Sequence, residues 1–206
     1  EGADEPGFFD WRTPRAPWPG APQIVSEVTP DPAHEHAVRG WAARAVLTAC
    51  CIGESLSRPM LDAVALVSTD PVAILCAEQI LKDEQFHASF GWEALEVLWP
   101  TLDAQERASA HTRLSRALAG FERTTCGEVR IEDLAGREVV IEASEDPNLG
   151  TLTTEQFAAI FYATLEAEIF PKLRALDIDV DRAWAERLGV RSGGAAAEAR
   201  GAQTDP

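Results

Sequence analysis

Cysteine, methionine and tyrosine are scarce in this 206-residue chain, and basic side chains are far outnumbered by acidic ones. Its cysteines are Cys50, Cys51, Cys76 and Cys126, and no Cys-x-x-Cys pair occurs among them. A thiolate zinc site and a dithiol redox centre are therefore not written into the chain. Cys50 and Cys51 are adjacent on an expected helix, where side chains diverge by about 100° and do not readily bridge. Buried cysteine behaves as a small hydrophobe, and that is the expectation for Cys50, Cys51 and Cys76. Lys and Arg total 18 against 34 Asp and Glu, a net charge of −16. Phosphate contacts need clustered Lys and Arg, so nucleic acid and anionic membrane surfaces are not expected partners. Apolar runs long enough to cross a membrane are missing as well, so no membrane span is expected. The sole methionine is Met60 and the chain opens on Glu1, so residue 1 does not read as a translational start. Residues upstream are expected, and the compartment stays open.

What is present suits one helical domain: 46% of the residues are hydrophobic, ample for a core at this length. Residues 1–32 hold seven prolines along with Phe8, Phe9, Trp11 and Trp18, an extended arm without regular structure. A first helix is expected over about 33–67, with Pro59 kinking or splitting it. Thr69-Asp70-Pro71 is a turn and helix-start signature, because a first-turn proline loses no hydrogen bond. The second helix then runs from Pro71 to about Leu98 and stops at Trp99-Pro100. Asp103-Ala-Gln-Glu106 has capping-box character and opens a third helix reaching about Thr124. Residues 128–142 alternate apolar and charged side chains around Ala135-Gly136, which predicts a small surface β-hairpin. Thr153 or Thr154 caps a fourth helix whose apolar face carries Phe157, Ile160, Phe161, Leu165 and Ile169. A short helix is expected near 181–188, and 191–206 reads as a disordered tail. The fold class is all-α, with four main helices over 33–190 and a long hairpin at about 33–98.

Glu84 and His87 carry most of the chemistry. Residues i and i+3 share a helix face, so a carboxylate and an imidazole point the same way. Their face also carries Ala73, Ala77, Ile80, Gly91 and Leu95, and an ionisable pair on an apolar face needs compensation. Upstream, Glu54 is the lone acid in an apolar run, on a face with Leu47, Cys50, Cys51, Ser57 and Leu61. Glu54 lies 15 residues before Thr69 and Glu84 lies 14 after Asp70. In a hairpin about that turn, a rise of about 1.5 Å per residue sets both carboxylates roughly 21–23 Å from it, at nearly one level. A cation is the commonest compensation for such a set in a helix bundle.

Cys50-Cys-Ile-Gly-Glu-Ser55, Asp70-Pro71 and Lys82-Asp-Glu-Gln-Phe-His-Ala88 with Trp92 together resemble the ferritin-like superfamily of carboxylate-bridged di-iron proteins. The likeness is specific over about 45–98 and loose from there to about 176. It implies a ferritin-like helical bundle. Glu54 would be a terminal or bridging ligand, Glu84 the bridging carboxylate and His87 a ligand to one metal. The implied cofactor is iron, in a di-iron site by this resemblance, with manganese as the alternative; carboxylates plus imidazole suit either ion. The implied activity is iron oxidation or O2- or peroxide-dependent redox chemistry.

The family carries two Glu-x-x-His halves and this chain carries one. The second half has three candidate sources: Glu122 with Glu166 or Glu168, a symmetric homodimer, or an N-terminal helix pair upstream. Truncation or dimerisation is the preferred expectation, because Glu166 and Glu168 have no ligand partner one turn on. The contrasting expectation is a metal-free helical scaffold used for assembly or partner contact. His34-Glu35-His36 reads as a helix start, since residues i and i+2 diverge on a helix. His111, Glu122 and Glu168 read as solvent-facing, and Tyr162 as a packing residue.

Overall fold

The computed structural model describes residues 30–143 and 146–189. Apart from residues 30–32, the expected N-terminal arm lies outside them, as does the expected tail at 191–206. Every regular element among the described residues is helical.

Helix α1 (Glu35–Ala45) passes through a π-helical stretch, Val46–Glu54, directly into α2 (Ser55–Val67). Pro59 sits inside α2, and the helix runs on past it to Val67. Asp70 then caps α3 (Pro71–Leu98). Its carboxylate accepts from the Val72 and Ala73 N–H groups at 2.9 and 3.0 Å, and Pro71 occupies the first turn. The turn is pinned from outside: the Thr69 N–H donates to the Asn148 carbonyl at 2.8 Å, and the Asn148 N–H donates to Thr69 Oγ1 at 2.8 Å. The long hairpin expected over 33–98 is therefore seen.

Its two arms approach closely at Gly91. A Cβ added there would lie 2.6 Å from Cys50 Cβ and 3.0 Å from the Cys50 carbonyl carbon. Only glycine allows that approach. The contact lies one turn beyond His87 on α3 and one turn before Glu54, so it sets the spacing between the two ligand-bearing segments.

Helix α4 (Ala104–Cys126) opens with the expected capping box. Asp103 Oδ1 accepts the Glu106 N–H at 2.8 Å, and Glu106 Oε2 accepts the Asp103 N–H at 3.1 Å. It ends at Gly127, whose φ of 56° favours glycine. The predicted β-hairpin at 128–142 is not seen. Asp133 reaches back to the Arg130 N–H at 2.8 Å and closes one helical turn, α5 (Ile131–Leu134). Val129 and Leu134 pack on the core while Ile131 and Val140 face solvent, so the alternating pattern is spent on anchoring a loop. Thr153 caps α6 (Thr154–Thr164), which widens into a second π-helical stretch at Leu165–Ile169 and continues as α7 (Phe170–Ala175) across Pro171. A last helix, α8, covers 180–189.

The core gathers Leu47, Cys51 and Ile52 from the first π stretch, Leu95 from α3, Leu114 and Leu118 from α4, and Phe161, Leu165 and Ile169 from α6 and its extension. Segment α1–α2 is the hub: α3 lies along one side of it, while α4 and α6 pack on it from elsewhere and on each other. Helix α3 makes few contacts with the later helices, so its far side is exposed among the described residues. The architecture is a helical assembly around a long hairpin, coarser than the four-helix ferritin-like bundle expected from the sequence.

Candidate metal centre

Glu54 ends the first π stretch, where a wider turn re-aims the residues that follow, a common device at functional sites. Glu84 and His87 lie one turn apart near the middle of α3. The hairpin brings all three together: one donor atom from each residue lies within 4.8 Å of the others. Glu54 and Glu84 are half-buried and His87 is exposed, so the group forms a shallow notch between α3 and the end of the π stretch. Sequence periodicity placed the group on an inward face, yet Ile80 on that same face is also exposed. The notch opens outward because, among the described residues, none packs on the far side of α3.

Two carboxyl groups this close cannot both be charged cheaply. A hydrogen bond with Glu84 is the largest influence on Glu54; burial and repulsion by the Glu84 carboxylate act the same way, and His87 partly opposes them. The result pushes the Glu54 carboxyl up to about 7. Near neutral pH the Glu54 carboxyl is therefore protonated in about half of the molecules, and an incoming cation would displace that proton.

A supporting layer was not legible in the sequence. Ser57 Oγ lies 2.9 Å from Glu84 Oε2 and 3.0 Å from the Glu54 carbonyl, so its single proton can orient the Glu84 carboxylate. Beneath it, the Trp92 indole N–H donates to the buried Ser55 hydroxyl at 3.1 Å. A serine one turn after Glu54 was the available signal.

The Glu122 alternative is not assembled as a metal site. Glu122 is fully buried rather than solvent-facing. Arg187 grips it from α8, Nε to Oε2 at 3.0 Å and Nη2 to Oε1 at 3.1 Å, and the Tyr162 hydroxyl donates to Oε1 at 2.9 Å. Burial, with the Glu122 carboxylate beside it, raises the Tyr162 hydroxyl above its usual range. The Arg187 guanidinium also lies 3.1 Å from the centre of the Trp184 ring. Glu168 pairs with Lys172 at 2.7 Å, and Glu166 is exposed. The carboxylates named for a second half-site are thus either locked in structural pairs or turned to solvent.

A further group joins His36 to Asp103 and Glu106, with ring nitrogens 3.2 and 3.5 Å from the carboxylates. Both acids already close the α4 capping box, and His36 faces their remaining oxygens, a polar contact between α1 and the start of α4. His111 is largely buried rather than exposed, with Nε2 3.1 Å from the Asp179 carbonyl and Nδ1 3.5 Å from Glu186. Cys51 is buried as expected and Cys50 is half-buried, whereas Cys76 is exposed. No helix among the described residues is long and apolar enough to cross a membrane. No family profile, curated protein or solved structure matches the chain.

Proposed function

We propose that the chain is a ferritin-like metal-binding protein in which Glu54, Glu84 and His87 hold a divalent transition metal, iron or manganese. One observation carries the proposal: two carboxylates and an imidazole, contributed by two helices 30 residues apart in sequence, present donor atoms within 4.8 Å of each other. The donor set fits. Two hard oxygens with one nitrogen suit Fe(II) or Mn(II) better than softer thiophilic ions, and three protein ligands leave positions for small molecules. A bound ion of this type supplies one- or two-electron chemistry with O2 or peroxide.

The residues have separable tasks. Glu54 gives up its proton and offers an anionic oxygen. Glu84, held by Ser57, presents a fixed carboxylate edge. His87 offers its ring from the open side, where a small oxidant or an arriving cation has access. One Glu plus one Glu-x-x-His is half of a dinuclear set. A second copy of the chain is the proposed source of the other half.

The contrasting reading, a metal-free scaffold, draws on the polar groups being satisfied among themselves: Ser57 donates to Glu84, and protonation of Glu54 relieves the repulsion between the two carboxyls. Anaerobic loading with Fe(II) or Mn(II), desalting and elemental analysis separates the two. The metal reading predicts retained metal in the wild type and loss in Glu54→Gln and His87→Ala at unchanged helicity. No retained metal in any form would establish the scaffold.

A further inference from the structure

Leu165 and Glu166 begin the second π-helical stretch, a widened turn of the kind that recurs at functional sites. With Tyr162, Phe170, Arg174 and Trp184 they line a hollow of about 270 Å³. None of the metal donors Glu54, Glu84 and His87 belongs to it. Three aromatic rings shape the wall. Trp184 meets Tyr162 at 81° with centroids 6.3 Å apart, and meets Phe170 at 65° and 5.5 Å. The rings therefore form a corner rather than a stack.

The corner is held from behind. Arg187 lies on the Trp184 ring, and its guanidinium is tied to the buried Glu122 carboxylate by two hydrogen bonds. Glu122 also accepts from the Tyr162 hydroxyl. A buried ion pair adds little net stability over apolar side chains of similar volume. This one fixes two of the three rings, which prepares the hollow before anything enters it.

The charges around the hollow do not cancel. Arg187 faces Glu122. Arg174, 5.7 Å from the centre of the Phe170 ring, gives two hydrogen bonds to Asp181 at 3.2 and 2.6 Å. Each guanidinium thus has a carboxylate of its own. Glu166 is exposed at the edge and has no ion-pair partner among the described residues. An uncompensated carboxylate beside aromatic rings favours a cation, and a net charge of −16 draws the same sign. The volume falls just below the roughly 300–1,000 Å³ of sites for drug-sized ligands, so one ring or a short chain fills it.

We propose that this hollow binds a small organic ammonium ion, its cationic end against Glu166 and its apolar body against Phe170 and Trp184. An anion would meet Glu166 with the wrong sign, and a neutral apolar molecule would leave that carboxylate unused. Neither the residues nor the chemistry involve the metal donors, so the two readings stand or fall separately.

Calorimetric titration of the full, metal-free chain with phenethylammonium, 2-phenylethanol and 3-phenylpropionate tests the assignment, in about 0.15 M salt to screen diffuse attraction. The ammonium should bind with a dissociation constant of about 1 mM or below, in keeping with its size. The alcohol, of nearly the same shape, should bind about tenfold more weakly, and the propionate should not bind. Glu166→Gln, a surface change, should lower ammonium affinity about tenfold and leave the alcohol unaffected. Phe170→Leu keeps an apolar wall but removes a ring face, and should cost the ammonium about threefold. The indole N–H resonance of Trp184, identified from Trp184→Phe, should shift as the ammonium binds. No binding of the ammonium at tenfold the expected concentration overturns the site. Equal affinity for ammonium and alcohol, or ammonium binding undisturbed by Glu166→Gln, overturns the charge assignment. Ammonium lost in Glu84→Gln but kept in Glu166→Gln is held at the metal notch, which overturns the hollow as its site. Tighter binding of the propionate overturns the cation in favour of an anion on Arg174.

Discussion

Replacing Gly91 by alanine tests how the hairpin positions the metal donors. In an open helix the change would stabilise, because glycine costs about 1 kcal/mol relative to alanine in a helix interior. Gly91 is not open. The new Cβ would sit 2.6 Å from Cys50 Cβ, 3.0 Å from the Cys50 carbonyl carbon and 3.2 Å from the Cys51 nitrogen. Carbon atoms rest at about 3.5–4.0 Å, so the two segments must part by roughly 1 Å. Two of the three atoms are backbone and cannot rotate away. Overpacking of this kind costs about 1–3 kcal/mol, which cancels or outweighs the propensity gain and leaves a net loss of up to about 2 kcal/mol. For a chain of this size that lowers Tm by up to about 8 °C. Glu54 follows Cys50 by one turn, so the same displacement draws its carboxylate away from Glu84 and His87 and weakens metal binding. Gly120→Ala is the internal control, since nothing lies within 4 Å of its added Cβ. It should raise Tm by about 1–4 °C and leave metal uptake alone. Differential scanning calorimetry and Fe(II) titration of both variants read the two effects. Gly91→Ala behaving like Gly120→Ala would refute the close-approach reasoning.

Other expectations follow from the same geometry. Arg187→Met strands the buried Glu122 carboxylate and should cost about 3–5 kcal/mol in urea unfolding; adding Glu122→Leu should recover most of that, because the uncompensated charge is gone. Ser57→Ala removes the hydroxyl beside Glu84 and should weaken metal binding about 10- to 100-fold with little change in Tm, read by competitive chelator titration. In the metal-free protein the Glu54 carboxyl is raised to about 7, so the folded state holds its proton more tightly than the unfolded chain does. Its contribution to stability is then full below the ordinary carboxylate range and is lost as pH rises through about 7, which denaturant midpoints across that window can follow. Metal binding displaces the same proton, so calorimetry in buffers of different ionisation enthalpy should show proton release near neutrality, and affinity should fall as pH drops.

Much of the hairpin was legible in the chain. Asp70-Pro71 fixes a helix start, and counting outward from it sets Glu54 level with Glu84, which is where the structure places them. The capping residues Asp103, Glu106 and Thr153 declare themselves by local hydrogen bonds that need no tertiary information. Other features are tertiary and leave no local trace. Glu122 reads as a surface acid until Arg187, 65 residues later, arrives to neutralise it. Residues 128–142 alternate as a strand would, but Asp133 satisfies the Arg130 N–H locally and no partner strand exists among the described residues. Helix α3 carries apolar side chains nearly all round, a pattern that periodicity assigns to burial. Whether the second face is covered by the same chain or another cannot be read from periodicity, and this is why His87 was expected inside and is found outside.

The most direct measurement of the proposed centre is iron K-edge X-ray absorption on the anaerobically loaded full-length protein. Coordination by Glu54, Glu84 and His87 predicts a mixed oxygen and nitrogen shell with the multiple scattering of one imidazole per iron, lost in His87→Ala. An all-oxygen shell unchanged by that substitution would contradict it, and would reduce the three side chains to an acidic notch on a helical scaffold.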